Sequence, residues 1–172
     1  MNTNDTNLEV EELLAELTKQ TQALVASLQD PQPLIVGIRT GGIWIAEHLH
    51  KALDMSKPIG VLDISFYRDD FSRLGLNPEV KPSNIPLDIT DEHIILVDDV
   101  LHTGRTIRAA MNELFDYGRP ASVHLVVLVD RGGRELPIDA RVVGQRIDLP
   151  PQQHVKLTGP EPLKLEIITV NT

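Results

Sequence analysis

Apolar residues along this chain follow two patterns. Some return every three or four positions; others stand in short unbroken runs. In Glu9–Leu28, Leu13, Leu17, Thr21, Leu24 and Leu28 recur at helical spacing, which predicts a helix. Glu9, Glu11 and Glu12 open it, where the positive end of the helix dipole favours carboxylates, and Asp30-Pro31-Gln32-Pro33 stops it. Leu34–Ile38 is an apolar run of the kind buried in a parallel sheet, and a helix over about Ile43–Leu53 follows. Pro58–Ser65 reads as a strand through Val61, Leu62 and Ile64. Ile94–Val97 is a short buried strand, and Ile107 to about Phe115 is a helix with Ile107, Ala110, Met111 and Leu114 on one face. Tyr117-Gly118-Arg119-Pro120 supplies a glycine C-cap and a proline stop. Ser122–Val129, Arg141–Ile147, Val155–Leu157 and Leu163–Val170 read as strands. Strands alternating with amphipathic helices predict an α/β fold. Its sheet is mainly parallel and flanked by helices on both faces, with a small cap built from the chain ends.

Between Phe66 and Pro86 no period is sustained, and Pro78 and Pro82 interrupt the chain. A long irregular excursion in a compact domain is usually functional. At 172 residues the expectation is one domain over 1–172, with 1–8 a flexible arm and about 66–86 a mobile active-site loop. Arg68 and Arg73 on that loop suit closure over an anion; the alternative is a surface hairpin with solvated arginines.

A net charge of −9 argues against whole-surface affinity for nucleic acid and leaves a local basic patch open. The absence of Cys removes disulfides and thiolate metal sites and fits a reducing compartment, so a cytoplasmic location is expected. Met1–Asn7 is polar, so no signal peptide is expected. No apolar run approaches the roughly 20 residues of a membrane helix, so no membrane is expected as partner. The histidines have no metal-ligand spacing; His48 and His50, two apart, cannot share a helix face.

The densest chemistry lies in Ile94-Ile95-Leu96-Val97-Asp98-Asp99-Val100-Leu101-His102-Thr103-Gly104-Arg105-Thr106. An apolar strand delivers two carboxylates, then a Thr-Gly turn, to a helix start. Unpaired N–H groups and a partial positive charge make a helix N-terminus a phosphate seat. Gly104 permits close approach, and Thr103 and Thr106 add donors. Asp98 and Asp99 can accept from the hydroxyls of a ribose. An ordinary βα turn would explain the apolar run and Gly104, but not adjacent carboxylates followed by several phosphate donors. A second strand-to-helix turn, Arg39-Thr40-Gly41-Gly42, adds a fixed cation and two glycines. Parallel sheets gather such turns at the carboxyl ends of their strands.

The longer stretch resembles the phosphoribosyl pyrophosphate (PRPP) signature of the type I phosphoribosyltransferases. Other segments sharpen the resemblance: Gly37-Ile38-Arg39-Thr40, Leu62-Asp63-Ile64-Ser65-Phe66-Tyr67-Arg68-Asp69-Asp70, Gly118-Arg119-Pro120-Ala121, Val129-Asp130-Arg131-Gly132 and Arg134-Glu135-Leu136-Pro137-Ile138. Together they are similar to the branch that regulates pyrimidine operons by attenuation and is also a uracil phosphoribosyltransferase. The resemblance implies the type I phosphoribosyltransferase fold and conversion of uracil and PRPP to UMP and pyrophosphate, with Mg²⁺ bound alongside PRPP. Asp98, Asp99 and Arg68 would be catalytic. Arg39 and Thr40 would hold pyrophosphate, Val100 would belong to the nucleotide site, and Leu101, His102, Thr103, Gly104, Arg105 and Thr106 would seat the 5-phosphate. Arg131 and the backbone near Val155 would meet the base. It also implies pyrimidine-operon leader mRNA as a partner and a homo-oligomer, with which an apolar face on the first helix is compatible.

Three positions depart from the family. Gly41 stands where a second arginine is common, Gln22 where the first helix carries an RNA-facing histidine, and Gly133 where a histidine precedes Arg134. Thr18, Arg134, Arg141 and Arg146 remain candidates for RNA contact, the alternative being a solvated surface. Two other functions stay open: an RNA-binding attenuator that senses UMP or PRPP with little catalysis, and a transferase for another base.

Overall fold

The computed structural model describes residues 9–64 and 83–171. In chain order its elements are α1 (Val10–Ser27), β1 (Leu34–Ile38), α2 (Gly41–Ala52), β2 (Gly60–Leu62), β3 (His93–Leu101), α3 (Arg105–Phe115), β4 (Ser122–Asp130), β5 (Val142–Arg146), β6 (Gln153–Thr158) and β7 (Lys164–Thr169). Residues 1–8 and most of the expected 66–86 loop, Arg68 and Arg73 included, lie outside the described residues.

Strands β1 to β5 form one parallel sheet in the order β2-β1-β3-β4-β5. Their apolar runs have no polar face because both sides of the sheet are covered. On one side α1 and α2 pack Leu17, Leu24, Ile45 and Leu49 against Ile35, Ile95, Val97, Val126 and Leu128. On the other, α3 packs Ile107, Ala110 and Leu114 against Leu34, Val36, Leu96 and Val127. The chain leaves β1 for β2 on one flank and returns for β3 on the other. The topological switch point therefore falls between β1 and β3, where open α/β sheets bind ligands.

The cap is an antiparallel hairpin, β6–β7, whose Val155, Leu157, Leu163 and Leu165 join the first core cluster beside Trp44 of α2. Among the described residues it comes from the C-terminal segment alone. Helix α1 instead belongs to the layer over β4, β5 and α2. Its buried stripe is Val10, Leu14, Leu17, Thr21 and Leu24, with the Thr21 hydroxyl donating to the Leu17 carbonyl at 2.7 Å. That apolar stripe is covered by its own sheet, while Leu13 and Leu28 are only partly buried.

Several boundaries move. Strand β3 does not stop at Val97: Asp98, Val100 and Leu101 continue the ladder opposite Val127, Val129 and Asp130. Helix α3 starts at Arg105 and is C-capped by Asp116. Gly118, at φ 148°, is no helix cap; a Cβ there would lie 2.7 Å from Thr90 Oγ1. The glycine thus serves a close approach beyond the helix.

Candidate functional site

A cavity of about 490 Å³ opens at the carboxyl ends of β3 and β4. Its wall is the continuous run Asp98–Ile107, completed by Arg131, Glu135, His154 and Val155. The size suits a small-molecule ligand. The structure thus brings Asp98, Asp99, Val100, Leu101, His102, Thr103, Gly104, Arg105 and Thr106 together with Arg131 and Val155.

The backbone orients the acid pair. Asp98 is buried, and its Oδ1 accepts the Asp99 N–H at 2.9 Å. Asp99 Oδ1 accepts the Val100 N–H at 2.8 Å. Its Oδ2 faces the start of α2, where a Cβ on Gly41 would lie only 2.4 Å away. The two strand-to-helix turns therefore touch through a carboxylate and a bare α-carbon.

Below the acids, Gly104 takes φ 93° at the N-cap of α3, and the Thr103 hydroxyl accepts the Arg105 N–H at 3.2 Å. Arg105, Thr106 and Ile107 line the cavity, so the first turn of α3, with the positive end of the helix dipole, opens onto it. The 134–138 loop clamps this turn. The N–H groups of Glu135 and Leu136 donate to the Thr103 carbonyl at 2.9 and 3.1 Å. Arg105 Nε lies 2.7 Å from Glu135 Oε2. His102 Nδ1 is 2.9 Å from the Gly132 carbonyl. A carbonyl only accepts, so Nδ1 carries the proton there.

Asp130, buried at the end of β4, organises that loop. Its Oδ2 accepts from Arg134 Nη2 at 2.6 Å and Arg146 Nη1 at 2.8 Å, and its Oδ1 from the Gly132 N–H at 3.0 Å. Burial pushes this carboxyl up, but the Arg134 hydrogen bond, the Gly132 N–H and the charges of Arg134 and Arg146 together hold it below its ordinary value. Arg131 follows, only 5% exposed, its N–H donating to the Leu101 carbonyl at 3.0 Å. Burial lowers the pKa of its guanidinium. Arg131 Nη1 meets His154 Nδ1 at 3.3 Å, and its buried Nε has no hydrogen-bond partner among the described residues.

Arg39 and Thr40 do not line the cavity; they reach its edge through Gly41. Arg39 Nε is 3.6 Å from Oδ2 of the buried Asp63, whose N–H donates to Ser83 Oγ at 2.8 Å. The Arg39–Thr40 peptide is cis.

The residues expected to meet RNA lie on α1 (Thr18), on the loop after β4 (Arg134) and at the two ends of β5 (Arg141 and Arg146). Arg134 and Arg146 share Asp130, and Arg134 also donates to the carbonyls of His102 and Ile138 at 2.9 and 2.8 Å. Arg141 precedes β5 while Arg146 ends it, roughly 16 Å apart at strand rise. The Thr18 hydroxyl donates to the Leu14 carbonyl and lies 3.3 Å from His48 Nε2 on α2.

Sequence reasoning missed Ile107, Glu135, His154, Asp63 and the buried role of Asp130. Nothing local marks Glu135 or His154; Glu135 arrives by its loop folding onto Thr103 and Arg105, and His154 by its contact with Arg131. Among the described residues no cluster of three or more His, Cys, Asp or Glu can hold a metal by itself. No helix among them is long and apolar enough to cross a membrane.

Comparison with known proteins adds to this geometry. A family model described as "Phosphoribosyl transferase domain" matches residues 5–158. The chain is 54% identical over 163 residues to a protein of Nitrosococcus oceani named "Bifunctional protein PyrR", covering 94% of this chain and 92% of that one. It is 57% identical over 155 residues to the protein of the same name in Pseudomonas paraeruginosa, covering 90% and 91%. Among solved structures, a hypoxanthine-guanine phosphoribosyltransferase of Bacillus anthracis superposes with a TM-score of 0.68 at 19% identity, over 86% of each chain.

Proposed function

This chain belongs to the phosphoribosyltransferase family, and from that premise we propose that it converts uracil and PRPP to UMP and pyrophosphate and regulates pyrimidine operon expression as a PyrR-type protein. One observation carries the enzymatic half. The acid pair, the Thr-Gly turn and the N-terminus of α3 line one cavity sized for a nucleotide. A ribose 5-phosphate needs hydroxyl acceptors at one end and phosphate donors at the other, and this wall offers both.

In this reading the α3 N-terminus, Thr103, Thr106 and the backbone from Leu101 to Arg105 seat the 5-phosphate. Asp98 and Asp99 take the ribose hydroxyls and, as carboxylates, favour the positive charge that develops at the anomeric carbon. Catalysis is mainly positioning and electrostatics. Arg39 beside the cavity, and Arg68 beyond the described residues, are the proposed cations for the departing pyrophosphate. Arg131 and Val155 border the base. Mg²⁺ usually binds through one or two carboxylates plus substrate phosphates, and Asp98 and Asp99 fit that role with PRPP. When bound it would neutralise pyrophosphate charge.

The regulatory half rests on the PyrR relatives. Direct contact with leader mRNA is the finer claim. Arg134 is engaged within the fold, which leaves the more exposed Arg146 as the better placed of that pair. The test is UMP formation from uracil and PRPP with Mg²⁺, other bases in parallel. Uracil-specific turnover supports the proposal, and turnover of a purine instead overturns it. Binding to a pyrimidine-operon leader transcript with UMP present, weakening with salt, supports the RNA claim; no binding at low salt sinks it.

A further inference from the structure

Arg131 is a buried cation with no carboxylate partner among the described residues. Its neighbour Asp130 is held by Arg134, Arg146 and Gly132. The guanidinium's hydrogen-bonding contact is with His154, 3.3 Å from Nη1 to Nδ1, and its Nε is unpaired. A guanidinium has no acceptor, so His154 must present the Nδ1 lone pair and carry its proton on Nε2.

The hairpin holds that histidine in place. Leu157 of β6 is buried, Val155 packs on the same core cluster, and His154, one position before Val155, points to the opposite, more exposed face as alternation requires. Both His154 and Val155 line the cavity, as does Arg131. A donor-only cation with spare N–H groups matches a ligand edge of carbonyl oxygens. It does not match an edge of exocyclic amines.

We infer that His154 is a positioning residue for base recognition: by accepting from Arg131 Nη1 it fixes the guanidinium whose remaining N–H groups meet the carbonyl oxygens of the base. The inference rests on the uracil transferase reading and deepens it. Arg131 touches the base; His154 acts through Arg131 and selects for a carbonyl edge.

The experiment compares His154→Ala, His154→Gln and His154→Lys with the unaltered protein, measuring KM for uracil and for PRPP separately. Losing one hydrogen bond from a charged donor raises the uracil KM by about ten- to a hundredfold in His154→Ala. The PRPP KM stays within about twofold, because that contact does not touch the phosphate turn. His154→Gln keeps an acceptor and recovers most of the loss, whereas His154→Lys puts a cation against a cation and is at least as impaired as Ala. Titration calorimetry with UMP and ribose 5-phosphate gives a second readout, in which His154→Ala weakens UMP alone. Equal changes in both KM values, or an unchanged uracil KM in an active enzyme, would overturn the inference while leaving the transferase standing. Absence of uracil turnover in the unaltered protein would count against the transferase. The calorimetry then decides: selective loss of UMP carries the inference, and equal loss or none overturns it.

Discussion

Asp130→Ala is the perturbation whose size can be worked most directly from the structure. The carboxylate is 5% exposed at its side chain and accepts three hydrogen bonds, two from guanidiniums at 2.6 and 2.8 Å and one from the Gly132 N–H at 3.0 Å. Removing one partner of a buried charged pair typically costs about 3–5 kcal/mol. The low end applies here, because Arg134 keeps the His102 and Ile138 carbonyls and Arg146 is 64% exposed and can return to water. About 3 kcal/mol lowers the Tm of a chain this long by about 6–12 °C. Arg134→Ala, which strips the carboxylate of its more buried partner, costs about 2–3 kcal/mol; Arg146→Ala costs less than about 1 kcal/mol. The pH dependence has a definite sign. The folded carboxyl lies below its ordinary value of about 3.9, so its contribution is full above that value and is lost as pH falls through the folded pKa. Urea unfolding of the three variants at pH 7, repeated at falling pH, measures all of this. A loss under about 1 kcal/mol for Asp130→Ala, or a difference from the unaltered protein that fails to narrow below about pH 4, would refute the argument that this buried carboxylate holds the loop.

Three further outcomes are expected. Asp98→Asn and Asp99→Asn each reduce UMP formation by at least about a hundredfold while thermal unfolding shifts by only a few degrees, since the shape is kept and the charge opposite the developing cation is lost; full turnover in both would remove their assigned roles. Gly104→Ala forces a side chain into φ 93° with its Cβ 3.0 Å from Ile138 Cγ1, so calorimetry should show a loss of about 1–2 kcal/mol and kinetics a raised PRPP KM. Leu17→Ala empties a site with no solvent exposure between α1 and the sheet, lowering stability in urea by about 2–5 kcal/mol without changing the KM for uracil.

What the sequence made legible depends on how local the determining physics is. The sheet's strands are written in runs such as Leu34–Ile38, and the phosphate turn in contiguous residues, so both are readable without a fold. The end of β3 misleads because two adjacent charges look like an exit from the core. Neighbouring strands overrule that: Asp98, Val100 and Leu101 still pair with β4, so the carboxylates stand on rigid strand rather than on a loop. Arg134 and Arg146 show the converse. As isolated arginines they suggest a basic surface. Only the fold shows that one buried aspartate, near in sequence to one and distant from the other, engages both.

Gly41 shows the limit most sharply. The sequence registers it as a departure, a glycine where relatives of this family commonly carry a second arginine, and suggests a missing phosphate contact. The structure supplies a second consequence. Any side chain at 41 begins with a Cβ 2.4 Å from Asp99 Oδ2, and Asp99 cannot simply rotate away without giving up the Val100 N–H on its other oxygen. In this chain the glycine and the position of the Asp99 carboxylate are one arrangement. An arginine placed at 41 would bring a cation only by displacing the carboxylate proposed to hold the ribose, so the residue that looks like a loss in one turn is a packing requirement of the other.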